Sequence, residues 1–401
     1  MKTGWQTKTI GDVCEFQRGL TYAKSDEADV SENIVLRATN IDLTTNLLVF
    51  DELKYIRDTV VVPESKKVKK GSLIICMASG SKSHLGKVAL IDDDYGYAFG
   101  GFMGMLTPLN GILPKYLFHL MTSEDYKGFI GALSDGANIN NLTFDKLRVF
   151  PVPVPSLEEQ QRIVGLLDEA FESLATVKAN AEKNLQNARA LFESHLQSVF
   201  TQHSPGWEQK TLAEIATTFG RGKSKHRPRN APHLYGGKYP FVQTGDIRNA
   251  DHTITEYAQT YTEAGLAQSK LWPKGTICIT IAANIAETAI LGFDACFPDS
   301  VIGVVANPKE AEVGFIEYLL QSFKARIQAL GKGAAQANIN MGTFEHERFP
   351  FPPVAEQKRI VARLDALSEE AQRLARLYEQ KLAALEALKK TLLHQAFSGQ
   401  L

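Results

Sequence analysis

The sequence predicts an α+β chain in which two copies of a globular domain alternate with two long helices, packed antiparallel as a coiled coil about a pseudo-two-fold repeat. Three observations predict it. The chain contains itself twice, one stretch of each copy keeps a fixed length, and that stretch carries apolar residues at heptad spacing. A length of 401 residues leaves room for two or three domains. No apolar run reaches the ~18 residues of a membrane span, and Lys2, Trp5, Gln6 and Lys8 at the start do not make a signal peptide. Cys14, Cys76, Cys278 and Cys296 lie far apart without a CxxC pair. That argues against a zinc site or a disulfide framework and points to the cytoplasm. A net charge of −1 excludes a whole-chain grip on a polyanion, so such binding must come from local patches.

The repeat defines the domains. Gly4-Trp5 recurs as Gly206-Trp207, Arg18-Gly19 as Arg221-Gly222, and Lys70-Gly71 as Lys274-Gly275, at offsets of 202, 203 and 204. Ala137-Asn138-Ile139-Asn140 recurs unchanged from Ala337 at an offset of 200. From Glu159/Glu356 to Phe200/Phe397 the offset stays at 197. Surface loops tolerate insertions at little closure entropy, whereas a segment of constant length behaves as a spacer. The predicted units are therefore a globular domain at 1–155, a helix at 156–203, a second domain at 204–353 and a second helix at 354–401.

Within the first domain, short strands are predicted at 73–77, 87–91 and 102–106, with a helix at 115–130 after Pro114. The second domain repeats this with strands at 276–281, 288–291 and 301–305 and a helix at 313–330. In the first long helix the stripe includes Ile163, Leu167, Leu174 and Leu191; in the second it includes Ile360, Leu364, Leu374 and Leu388. Prolines precede each helix. Asn184 and Lys381 interrupt the stripe at matching places, either as register-fixing seam residues or as solvent-exposed positions. About five residues join the first helix to the second domain, so the second helix must run back antiparallel to pack on the first; the alternative is that each packs only on its own domain.

Several loops have the chemistry of phosphate and base contact. Ser79, Ser81, Lys82, Ser83 and Lys87 fall in one loop of small hydroxyls, glycines and cations that lets backbone N–H groups approach an anion. Arg221, Lys223, Lys225 and Arg227 belong to a second run without an acid, which would bind a polyanion salt-sensitively or simply form a solvated loop. Arg18, and Arg37 with Asn40, are further candidates in the first copy, as are Gln243 and Thr244 in the second; such side chains read base edges or close hydrogen-bonded turns. The Ala-Asn-Ile-Asn repeat reads as structural, since Asn bonds nearby backbone. No phosphate-binding loop, amino-methyltransferase tetrad, nuclease triad or metal spacing stands out.

The pattern resembles the DNA-specificity subunit of type I restriction–modification systems. The carriers are the two Gly-Trp pairs, Phe150-Pro151-Val152-Pro153 with Phe349-Pro350-Phe351-Pro352, and Glu-Gln-x-Arg-Ile-Val at 159–164 and 356–361. The run from Leu392 to Gly399, Met77-Ala78-Ser79-Gly80 and Gly136-Ala137-Asn138-Ile139 add to them. The resemblance implies two target-recognition domains, each reading half of a bipartite duplex target. It implies helices that set the half-site distance and dock two methyltransferase subunits, with restriction (nuclease–translocase) subunits joining them. It implies a non-catalytic chain without cofactor, S-adenosylmethionine and ATP with Mg being bound by the partners. The competing readings are a coiled-coil scaffold that binds protein through its globular ends and a self-sufficient methyltransferase, which the missing motifs oppose.

Overall fold

In the computed structural model, which describes residues 4–135, 141–202, 206–226, 228–282, 285–331 and 339–401, the apolar run near residue 75 forms the strand Leu73–Cys76. It lies inside a four-stranded antiparallel sheet, between Met103–Pro108 and Val88–Leu90, with Cys14–Arg18 beyond. Side chains alternate along a strand. Leu73 and Ile75 join a core with Tyr116, Leu117 and Ile163, while Ile74 and Cys76 pack with Leu36 and Phe99 of a second sheet. Burial on both faces is why the run is continuously apolar rather than alternating. Truncating Ile74 to Ala would cost about 2–5 kcal/mol. The second sheet joins Glu27–Ala28, Lys54–Ile56, Asn33–Leu36 and Ala98–Phe99, the last pairing parallel.

Contacts divide the chain into two units, Met1–Glu182 with Gln380–Leu401, and Lys183–Glu379. The second unit repeats the pattern of the first. Ile277–Thr280 lies between Val301–Ala306 and Thr288–Leu291, with Ile277 and Ile279 on one core and Cys278 on another. Its second sheet holds Gln259–Tyr261, Tyr235–Phe241, Ala295–Cys296 and Leu271–Trp272.

The long helices are Leu157–Thr201 and Val354–Ser398. In the first unit they run antiparallel: Arg162 donates to the Leu401 carbonyl at 2.8 Å and Lys178 pairs with Glu386 at 2.7 Å. In the second, Arg189 pairs with Glu379 at 2.7 Å, and Leu196 and Phe200 share a core with Leu364 and Ile360. Each unit thus contains paired pieces of both helices. Ile163, Leu167 and Leu364 are buried, and Leu174, Ile360 and Leu374 half-buried. Leu191 and Leu388 correct the predicted stripe, being 51% and 46% exposed. A straight helix turns about 20° per heptad away from a 3.5-residue repeat. Four heptads after Ile163 the inward face has moved on, to Phe192, Leu196 and Phe200. Asn184 and Lys381 are solvent-exposed and lie beside the unit boundaries.

The loudest sequence motifs converge where each helix leaves its domain. Pro151–Val154 pairs antiparallel with Gln6–Thr9, and Phe349–Phe351 with Glu208–Lys210. The glutamine of Glu-Gln-x-Arg-Ile-Val is fully buried in both copies. Gln160 accepts from Leu113 N at 2.9 Å and donates to the Gly111 and Pro155 carbonyls. Gln357 accepts from Glu312 N at 2.9 Å and donates to the Glu310 and Pro352 carbonyls. Both amides clamp the helix to the loop ahead of the domain's shorter helix. About two turns further on, His119 meets Asp168 at 3.0 Å, and at the matching place Tyr318 donates to Asp365 at 2.8 Å. The predicted single helices at 115–130 and 313–330 are each two: Pro114–Leu120 with Glu124–Asp135, and Val313–Ser322 with Lys324–Gly331. The first break has a local cause, since Thr122 and Ser123 hydroxyls donate back to the His119 and Leu120 carbonyls.

Candidate nucleic-acid interface

The strand Cys14–Arg18 ends against the turn at 99–102. A Cβ on Gly19 would stand 2.0 Å from the Gly100 carbonyl oxygen, so only glycine allows the approach. Leu20 N then donates to the Phe99 carbonyl at 2.7 Å. The approach opens a cleft of about 640 Å³, whose lining includes Tyr22, Lys24, Arg37, Thr39, Ser79 and Phe102. Arg37 caps the short turn Ala38–Asn40 through its backbone, while its Nε has no hydrogen-bond partner. The predicted Arg37 and Ser79 are therefore brought together. Arg18 is exposed at the strand end, its guanidinium 6.0 Å from the Phe144 ring centroid.

Asn40 is a correction. It is 1% exposed, accepts from Arg37 N at 2.9 Å, and donates to the Val49 and Glu52 carbonyls at 3.0 and 3.1 Å. Its amide is spent on the chain and has no free edge for a base. Lys87 is a second correction: it is 9% exposed, with Nζ on the Ile41 carbonyl at 2.6 Å and His84 Nδ1 at 2.7 Å. Burial lowers its pKa. It ties two loops together instead of meeting a phosphate. Ser81 and Ser83 are exposed with their hydroxyls 2.8 Å apart. Lys82 opens the turn Lys82–His84, and its side chain lies outside the described residues. Gly86 closes this loop at φ +74°, where a Cβ would meet Ile130 at 2.8 Å.

In the second unit Gln243 occupies the place of Arg37. Its backbone N–H bonds Asp246 at 2.8 Å, as that of Arg37 bonds Asn40, and its side chain donates to Gln259 at 2.7 Å. Thr244 opens the helix Thr244–Asn249 and is half-buried. Arg221 is exposed, but its guanidinium is committed to the Asp299 carbonyl, and Arg229 pairs with the Asp299 carboxylate at 2.9 Å. Lys223 and Lys225 are exposed, and Arg227 lies outside the described residues. Lys270, which the sequence reading missed, stands 3.6 Å over the Trp272 ring and senses the charge of Lys223; burial first, then Lys223, lowers its pKa. Tyr22, Lys24 and Phe102 were missed as well; no motif marks them, and only the fold brings them to the cleft. Of the repeated Ala-Asn-Ile-Asn, 137–140 and 337–338 lie outside the described residues. Asn340 caps the helix Met341–Glu345, accepting from Thr343 N at 3.1 Å, which agrees with a structural role. Among the described residues no cluster of His, Cys, Asp and Glu could hold a metal, and no helix is long and apolar enough to cross a membrane.

Two copies of one sheet domain, each clamped to a long helix and each presenting different polar side chains from the same capped turn, define a tandem recognition protein. The chain belongs to the family of the type I restriction modification DNA specificity domain, which matches residues 2–186 and 205–383, and its role is DNA sequence specificity. It is similar to the StySPI specificity subunit of Salmonella potsdam and to the EcoKI specificity subunit of Escherichia coli K12. Identity is 26% in both cases, over 99% of this chain and 89% of each relative. A solved chain from work on assembly and conformational transition of the type I system shares the fold at a TM-score of 0.81, with 21% identity over 100% of this chain and 99% of that one. The HsdS subunit of Thermoanaerobacter tengcongensis gives 0.66 and 21%, over 100% and 98%.

Proposed function

We propose that the domains at 1–155 and 204–353 each read one half of a bipartite double-stranded DNA target, using Arg37 and Ser79 in the first and Gln243, Lys223 and Lys225 in the second. The observation that carries the reading is the shared capped turn that presents Arg37 in one unit and Gln243 in the other. A common scaffold with exchanged side chains suits two different base sequences, Arg favouring guanine and Gln adenine. In this reading the long helices set the half-site distance and dock two methyltransferase subunits, which restriction subunits join. The chain is non-catalytic and acts in the cytoplasm, and S-adenosylmethionine and ATP with Mg are bound by those partners. The test exchanges residues 206–353 for the equivalent block of a relative and maps methylated sites in cells that also carry the methyltransferase. One half of the target should change. A change in both halves would refute the assignment of one domain to one half-site.

A further inference from the structure

Phe102 is 74% exposed although its backbone is tied into the turn by hydrogen bonds. Its carbonyl accepts from both Met77 N at 2.9 Å and Ala78 N at 3.2 Å, and Met103 N closes the turn onto the Gly100 carbonyl at 2.8 Å. No aromatic ring among the described residues packs on it. A phenyl ring left in water gains nothing from folding. Held on a fixed turn at the cleft of Lys24 and Arg37, it is pre-arranged to enter another apolar environment without an ordering cost. The interior of a base stack offers such an environment beside the phosphates that the cations would neutralise. The second unit differs here. The matching carbonyl, which accepts from Ile281 N at 3.0 Å, belongs to Ser300.

We infer that Phe102 is a wedge that inserts at a base step of the half-site read by the first domain, opening the stack there, and that the half-site read by the second domain has no counterpart. The inference rests on reading 1–155 as a DNA-recognition domain. Phe102 thereby adds specificity through deformability, favouring steps that unstack easily, such as TA or CA/TG.

The test uses the full chain with its methyltransferase partner and duplexes carrying 2-aminopurine at successive positions of the mapped target. The half-site that survives exchange of 206–353 identifies the first domain's half. Apart from the bases that the methyltransferase itself flips out for methylation, binding should raise the fluorescence at one step in that half and at none in the other. Phe102→Ala should abolish the rise and weaken binding roughly tenfold, while Phe102→Trp keeps both. A rise that persists in Phe102→Ala, or unchanged affinity while Arg37→Ala binds weakly, would overturn the wedge and leave the recognition reading standing. Failure of Phe102→Ala to assemble with the methyltransferase would overturn it too, by placing the ring in a protein interface. If the unaltered complex does not prefer its target to other DNA, the recognition reading itself fails.

Discussion

Lys87 and Arg37 look alike in sequence and differ in what their cations touch. Arg37 is half-buried at the cleft with its Nε buried and unpartnered, whereas Lys87 is bonded on a carbonyl and a histidine. Arg37→Ala should therefore weaken DNA binding, and if it meets a phosphate it should reduce the slope of log affinity against log salt by ~1. Lys87→Met should leave that slope unchanged and lower thermal stability, because the Ile41 carbonyl loses its donor at a cost of about 1–3 kcal/mol. A flattened salt slope in Lys87→Met would contradict this division. Two histidines make a second pair. Burial lowers His119 below the ordinary imidazole value, despite Asp168 beside it, with Lys115 and Lys389 adding to the depression. Burial also opposes a charged His252, but Glu317 at 2.5 Å, with Asp365 and Asp251, outweighs it and raises the pKa. A depressed histidine makes the unfolded state the better proton binder, so the first unit should lose stability as pH falls below about 6.5. A raised one makes the native state the better binder. Its contribution is complete below about 6.5 and is lost as pH rises through the higher folded value. Hydrogen exchange read unit by unit, corrected for intrinsic rates, should show opposite pH trends, and parallel trends would refute the assignment.

At the scale of elements, the helix roots are where sequence and structure agree most closely. Gln160→Ala should strip the Leu113 N–H and two carbonyls of their partners, and Gln357→Ala should do the same to Glu312 N. Each leaves buried polar groups unsatisfied, so a loss of about 2–4 kcal/mol is expected in denaturant unfolding. Replacement by Glu should be no milder, since it restores the acceptor but not the donors. A loss under about 0.5 kcal/mol would show that water takes over the clamp. These positions were legible because the motif recurs at a fixed offset beside a long periodic helix. The central strands were legible too, because burial on both faces leaves an unbroken apolar run. The helix break at 121–123 was not, since it depends on hydroxyls turning back onto their own chain. The inward face near Leu191 was misplaced by one residue because heptad counting ignores the drift of a straight helix. The site was the least legible level. Asn40, Lys87 and Arg37 carry the same polar label in sequence, and only tertiary structure decides which of them still has a free donor.

At the scale of the whole molecule, the question is what the constant length of the two long helices serves. Each helix crosses the boundary between the units without interruption, at Glu182/Lys183 and at Glu379/Gln380. Those boundaries lie beside the exposed Asn184 and Lys381. Four residues added at both boundaries would lengthen each helix by about 6 Å and rotate it by about 40° beyond a full turn. Seven would add about 10.5 Å and fall about 20° short of two turns. Base pairs are spaced ~3.4 Å along the duplex. If the helices set the half-site distance, the two insertions should lengthen the unspecified spacer by about two and about three base pairs, with both half-site sequences unchanged. Inserting in both helices keeps their lengths matched, and the Lys178–Glu386 and Arg189–Glu379 pairs lie on opposite sides of the insertion points. Mapping the methylated sites of cells that carry each variant with the methyltransferase gives the spacer directly. Variants that fold and methylate at the original spacing would show that the helices are not the ruler, and that the partner subunits fix the distance between the two recognition domains.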